Sequence, residues 1–310
     1  METVPAYFLN FRPHGAKAPR HLIIKKQGDT MKIGFIGAGK VGVSLGKYLV
    51  EHNIKVIGYY SRNFNSAQEG ANFTNTIAFK TIEEIVKNSD AIFITTEDSQ
   101  IKNVWNIIRE MPINNKLICH CSGSLSSEIF SDIRKYGAYG YSIHPMFAIN
   151  DKYNSYKDLP NAFITIEGHK EYQGKLEQLF LSLGNKVQII SKENKSLYHA
   201  AAVTVSNFIL GLVNNSLTYL KDCGFSEELA MEALYPLIEF NLKNIKENGI
   251  MKSLTGPVER GDLETITSHC KVLNQQDKKM YKLLSENILS IAEMKNKQRN
   301  YEKIIEYLKR

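Results

Sequence analysis

The chain has 310 residues, 43% apolar and 23% charged, with a formal net charge of +7 at pH 7. That length predicts two domains of ordinary globular composition, and no unbroken apolar run approaches the roughly 20 residues of a membrane span. The basic excess sits at the ends, five basic against two acidic residues in 1–30 and six against two in 295–310, so the near-neutral remainder requires no nucleic-acid-binding face.

Residues 1–30 are interrupted by Pro5, Pro13, Gly15 and Pro19 and show no periodic apolar pattern. They read as a disordered leader or a mis-assigned start, with Met31 as the true first residue. From there Ile33–Ile36 predicts a buried strand, and Gly37-Ala-Gly39-Lys40-Val41-Gly42 a turn that opens a helix through Val50. Strand, glycine turn and helix together make a dinucleotide fingerprint. Gly37 makes the tight turn, Gly39 lets backbone approach a pyrophosphate, and Gly42 lets helix pack on strand. The free N–H groups of this turn, Lys40 and Val41 included, form the phosphate cradle.

Lys55–Tyr60 is the second strand, and Thr81-Ile-Glu-Glu84 a capping box opening a helix to about Lys87. Strands 90–96, 116–121 and 139–143 then alternate with helices 101–111 and 125–136, the last strand closed by His144-Pro145. Strand 162–167, helix 170–183 and strand 186–190 complete a doubly wound, mostly parallel α/β Rossmann sheet over residues 31–190. Right-handed crossovers would place all the strand C-termini at one edge, where ligands bind. Residues 191–310 read as an all-α domain. Its first helix runs from about Glu193 to Lys221, with Ala200–Leu212 as a buried core stretch. Pro236 is expected to bend the second, and two helices follow the turns Gly256-Pro257 and Gly261-Asp262.

Cofactor choice is read at the end of the second strand. An NAD enzyme usually carries Asp or Glu there, whereas this chain has Ser61-Arg62. A hydroxyl and a guanidinium hold a 2′-phosphate that a carboxylate would repel, so NADP is expected over NAD, and S-adenosylmethionine is disfavoured. Thr96, Ser122 and Gly123 fall at strand ends on the nicotinamide side. His144, extended because a proline follows it, is a candidate ligand contact. On the first helix of the second domain, at about 100° per residue, Lys195, His199, Ala202 and Ser206 share one stripe, with Asn207 beside it. Lys195 or His199 is the expected proton donor for a carbonyl or imine, with His144, Asn207 and Arg260 orienting substrate. Four cysteines, at 119, 121, 223 and 270, form no C-x-x-C pair. Cys119-His120-Cys121 cannot converge on a metal from one strand, so no metal is expected, and reduced thiols fit a cytoplasmic protein.

The fingerprint, the strand end at Arg62, Ser122-Gly123, His144-Pro-Met, Lys195-x-x-Tyr-His199-Ala-Ala-Ala-x-x-x-Ser-Asn207 and Thr255-Gly-Pro-x-x-Arg-Gly-Asp262 stand in that order. With them the chain resembles Rossmann-like proteins that carry the C-terminal domain of unknown function 2520. These belong with the 6-phosphogluconate and β-hydroxyacid dehydrogenase-like group. The resemblance implies an NADP-linked oxidoreductase that dimerises through its helical domain, and it supplies no substrate; the candidate site residues themselves lead us to expect a small polar carbonyl, hydroxy or imine substrate. His144-Pro-Met-Phe is similar to a motif of prephenate and arogenate dehydrogenases, although Ala148 replaces the glycine that follows there. A pyrroline-5-carboxylate reductase-like enzyme is a further alternative, and a non-catalytic NADP-binding sensor or partner-binding protein is the alternative outside enzymes.

Overall fold

The computed structural model describes residues 31–310, so the expectations for residues 1–30 lie outside the described residues. The chain divides into two compact units, one running through Ala202 and the other spanning Val203–Arg310.

In the first unit the elements are β1 (Ile33–Ile36), α1 (Lys40–Glu51), β2 (Val56–Tyr60), α2 (Phe64–Thr74), β3 (Ile77–Ala78), α3 (Ile82–Asn88), β4 (Ala91–Ile94), α4 (Asp98–Ile108), β5 (Leu117–His120), β6 (Tyr139–Met146), β7 (Phe163–Gly168), α5 (Gln173–Ser182) and β8 (Lys186–Ile189). The strands form one sheet in the order β3-β2-β1-β4-β5-β6-β7-β8. The order reverses at β1, which opens a crevice between the ends of β1 and β4. Alternation along the strands separates two cores. Phe35, Phe93 and Tyr59 pack on one face of the sheet, while Ile36, Ile92, Ile94 and Trp105 pack on the other.

The sheet is doubly wound and mostly parallel, as expected, but its strands do not all end at one edge. β7 runs antiparallel to β6, and β8 follows β7. β6 also continues past Ile143, with His144 opposite Thr165 and Pro145 opposite Ile164. Its pairing with β5 stops at Ser142, so Pro145 occupies a stretch that is an edge on that side, where a missing N–H is tolerated.

The helix expected over 125–136 does not form. Only two short 3-10 turns, Ser127–Ile129 and Ile133–Tyr136, occur there, and Asp132 between them is left-handed at φ 58°. Tertiary partners take the groups a helix would use. Glu167 accepts from both the Ser127 N–H and its hydroxyl at 2.7 Å, and the buried Trp105 indole donates to the Ser131 carbonyl at 3.2 Å. Helix α2 went unread because its start is marked only by Asn63, whose side chain caps it by accepting from Asn65 N–H. The Thr81–Glu84 capping box is present in full.

Helix α6 (Lys195–Asp222) crosses from the first unit into the second, which continues with α7 (Glu227–Ser253), α8 (Pro257–Arg260), α9 (Leu263–Val272), α10 (Gln275–Lys295) and α11 (Glu302–Lys309). The break in α7 falls at Gly249, at φ 78°, rather than at Pro236. Val258, Ile266, Leu289, Tyr301, Ile304 and Leu308 form the core of this unit. The stretch Ala200–Leu212 is not the buried core helix expected, for Val205, Phe208 and Leu210 are 68%, 59% and 69% exposed. Among the described residues, Lys192–Asp222 is the one helix long and apolar enough to cross a membrane by length and composition. Its first turn is nonetheless anchored to the sheet of the first unit through Lys195.

Candidate active site

The glycine turn follows from the packing of β1, α1 and β4. Gly37 has φ 116°, and a Cβ there would stand 2.7 Å from the Thr95 backbone. A Cβ on Gly42 would stand 2.4 Å from the Gly37 carbonyl oxygen. The Thr95 hydroxyl donates to that same oxygen at 2.9 Å, which ties the end of β4 to the turn. Gly39, the residue before α1, differs from both: a Cβ there meets nothing within 4 Å. Its place is therefore open to a ligand, with the first N–H groups of α1, those of Lys40 and Val41 among them, unpaired within the helix.

A cavity of about 730 Å³ extends from this turn past Tyr60, Ser61, Arg62 and Thr96. Ser61 is half-buried and Arg62 exposed, and the side chains of both have no hydrogen bond or ion pair among the described residues. A guanidinium beside an open anion cradle suits a phosphorylated ribose, and Glu97 is the carboxylate that also lines this cavity.

A second constellation lies along the same sheet edge. Ser142 and His144, two apart on β6, project from one face of the strand. Lys195 is 2% exposed, and its ammonium donates to the Ser122 carbonyl at 3.1 Å and to Ser142 Oγ at 2.8 Å. Burial pulls its pKa down to about 8, against the opposing pull of Glu167. The hydroxyl of Ser122 donates to Asp98 at 2.6 Å and accepts from the N–H groups of Ser124 and Leu125. That hydroxyl is committed to holding its loop. His144 Nδ1 lies 2.7 Å from the Tyr198 hydroxyl. Burial pushes its pKa down to about 4, with the Lys195 charge and His199 adding to the effect. His199 packs edge-on against His144, and its buried Nδ1 has no hydrogen-bond partner among the described residues.

The structure thus brings Lys195, His199, His144, Ser122 and Gly123 together. Asn207 and Arg260 belong to the second unit. Asn207 is exposed and accepts from Ser206 Oγ at 2.9 Å. Nearly every other residue of the Thr255–Asp262 motif has a structural task. Gly256 and Gly261 take φ 99° and 78° around α8, and Asp262 caps α9 through Thr265. The Glu259 carbonyl accepts from Tyr301 at 2.6 Å and its carboxylate from Asn296 at 2.7 Å. Arg260 has only a 3.8 Å contact with Asp262, an exposed pair worth about 0–1 kcal/mol.

Sequence reasoning missed the roles of Tyr198, Ser142 and Asp98. Tyr198 stands within the Lys195–His199 motif, and Ser142 shares a strand face with His144, so both carried a signal. Asp98 carried none beyond its position after β4. Cys119 and His120 face opposite sides of the sheet, Cys119 in one core and His120 against Phe130 in the other. Among the described residues no cluster of three or more metal-ligating side chains occurs.

Residues 32–122 match the family described as NADP oxidoreductase, coenzyme F420-dependent. Residues 162–288 match the domain of unknown function DUF2520. The first match lies within the first unit, and the second runs from the start of β7 into α10. NADP is the dinucleotide of the matched N-terminal family, in agreement with the expectation from Ser61 and Arg62. No curated protein matches the chain. Among solved structures, protein TM1727 of Thermotoga maritima is 27% identical with a TM-score of 0.66, covering 85% of this chain and 99% of its own. A Bacteroides fragilis protein assigned as an NADP oxidoreductase is 23% identical, with a TM-score of 0.67 over 84% and 98%. A reductive aminase of Aspergillus terreus, in complex with NADPH, has 14% identity and a TM-score of 0.60 over 90% and 99%. The last two show likeness of fold.

Proposed function

We propose that the protein is an NADP-dependent oxidoreductase that interconverts a small polar carbonyl or imine and its reduced form. One observation carries this reading. Thr95 at the end of β4 bonds the Gly37 carbonyl of the glycine turn, Asp98 three residues further on accepts from the Ser122 hydroxyl, and Lys195 bonds the Ser122 carbonyl and Ser142. These contacts, three residues apart on the segment that leaves β4, support a polar cluster beside the cofactor crevice. In this reading the backbone from Gly37 to Gly42 holds the pyrophosphate, and Ser61 and Arg62 hold the 2′-phosphate. Thr96 and Gly123 lie toward the nicotinamide. Bound there, the cofactor supplies a hydride. Lys195 is sealed from substrate, so its charge positions the Ser122–Gly123 turn, and proton donation falls to the histidines. Kinship with the 6-phosphogluconate and β-hydroxyacid dehydrogenase-like group is part of the proposal, supported by Lys195 at the head of the helical domain.

Loss of NADPH absorbance with at least one member of a panel of 2-oxo acids, aldehydes, ketones and cyclic imines is the expected result. NADPH binding without turnover across that panel would favour a sensor and contradict the enzyme.

A homodimer through the helical domain is also proposed. A helix apolar on all sides is normally buried, yet α6 exposes Val205, Phe208 and Leu210 while α7 exposes Leu237, Phe240 and Leu242. A second copy presenting the same helices would cover them. Free thiols at Cys119 and Cys270 inside the cores suit a cytoplasmic location. Light scattering on the purified protein should give twice the chain mass of 35.2 kDa. A monomer, or recovery only with the membrane fraction, would contradict this.

A further inference from the structure

Glu167 takes no part in the chemistry proposed above. It is 4% exposed, and its carboxylate accepts from the Ser127 N–H and the Ser127 hydroxyl, each at 2.7 Å. A carboxylate this deep is costly unless its charge is compensated, and Ser127 is neutral. The sheet register points to the compensating group. Glu167 on β7 stands directly opposite Ser142 on β6, so their side chains leave the same face with Cβ atoms about 4.5–5.5 Å apart. Ser142 Oγ accepts from the Lys195 ammonium at 2.8 Å. An acid and a base, both buried, thus lie over one stretch of sheet, each held by a serine rather than by the other.

Most of the other groups around the ammonium carry no charge at pH 7. Burial pushes His120 and His144 down to about 4 and the Cys121 thiol up to about 12. Tyr198, whose ring lies 5.5 Å from Lys195 Nζ, has its pKa raised by burial. His199 packs on the His144 ring. Asp98 also acts on the ammonium, less strongly than Glu167.

We propose that the Glu167 carboxylate is the counter-charge of Lys195, keeping the lysine protonated at neutral pH and so positioning the Ser122–Gly123 turn. The proposal rests on the oxidoreductase reading, in which that turn lies toward the nicotinamide. Burial pulls the Lys195 pKa down and Glu167 pulls it back, leaving it at about 8. The protonated ammonium grips the Ser122 carbonyl more firmly than a neutral amine, because charge-assisted hydrogen bonds are about twice as strong.

The test is a pH titration of the full chain, followed by NMR of carbon-13-labelled lysine and of the backbone amides. Lys195→Met assigns the Lys195 signal by its loss. In the native chain Lys195 should titrate near pH 8, and the Gly123 amide should move with it. Glu167→Gln should lower both transitions by about one unit, the lower end of what a nearby opposite charge supplies. Glutamine can keep both Ser127 bonds, its oxygen on the N–H and its NH2 on the hydroxyl. Glu167→Asp, which restores the charge, should return both transitions toward pH 8. Glu128→Gln, at the exposed partner of Lys192, should leave them unmoved. If Glu167→Gln folds poorly, the double variant Ser127→Ala, Glu167→Met removes charge and partner together and should give the same downward shift. An unmoved Lys195 titration in the folded charge-free variant, or a Gly123 amide that does not follow Lys195, overturns the proposal. NADPH calorimetry on the native chain separates the two readings. Failure to bind NADPH refutes the oxidoreductase reading whatever Lys195 does, and an unmoved titration in a chain that binds NADPH refutes the role of Glu167 alone.

Discussion

Gly39→Asp is expected to abolish measurable NADPH binding while leaving the fold at least as stable as before. Gly39 precedes α1 in an extended conformation, at φ −82° and ψ −168°, that any residue adopts, and nothing lies within 4 Å of its Cβ position. Aspartate is a favoured helix cap, worth roughly 0.5–1 kcal/mol and helped by the helix dipole. The same carboxylate would face the bound pyrophosphate. Like charges about 4 Å apart at a protein surface repel by about 4 kcal/mol, close to a thousandfold in affinity. Gly42→Ala is the control of opposite sign. Its Cβ would meet the Gly37 carbonyl oxygen at 2.4 Å, and overpacking of this kind costs about 1–3 kcal/mol. Thermal melts and NADPH calorimetry on both variants check the pair. A destabilised Gly39→Asp, or one that binds NADPH normally, would show that the turn is structural only.

Lys195→Met is expected to lower kcat about a hundredfold, with NADPH affinity unchanged. Methionine has a similar length but loses both hydrogen bonds and the buried charge, and one preorganised electrostatic group is worth about 10²–10³ in rate. The pH profile identifies the cause. Lys195 keeps its charge below its pKa of about 8 and loses it above, so wild-type kcat should fall as pH rises through about 8. The variant should lack that limb. His144, at about 4, adds no transition between pH 5 and 8. Stability gives an independent sign. The folded pKa of Lys195 lies below its ordinary 10.5, so the unfolded chain binds more protons between about pH 8 and 10.5. Lys195 therefore makes stability rise with pH across that window, and Lys195→Met should remove the rise. An unchanged alkaline limb in the variant would assign it to another group.

The glycine turn, the strand alternation and the Lys195–His199 spacing were legible because each rests on local periodicity or local sterics. The helix expected over 125–136 failed for a reason that no local pattern carries. Glu167, forty residues away, takes the Ser127 N–H, so tertiary bonding overrode propensity. The antiparallel turn of β7 was hidden likewise, since a buried strand reads the same in either direction. The long helix α6 misled in a different way. Its apolar stretch predicts burial, and the chain by itself leaves Val205, Phe208 and Leu210 exposed. At the site, sequence reasoning leaves the donor open between Lys195 and His199, because lysine and histidine can both donate. The 2% exposure of Lys195 and its two protein partners, which no local pattern carries, are what support the positioning role proposed for it.

Cofactor choice is the most direct check on the whole account, because Arg62 and Ser61 stand where a carboxylate would select NAD. Isothermal titration of the full chain with NADPH and NADH should give tighter NADPH binding. Arg62→Ala should weaken NADPH roughly ten- to a hundredfold, the worth of one or two charge-assisted hydrogen bonds, and leave NADH nearly unchanged. Equal or tighter binding of NADH by the native chain would contradict it.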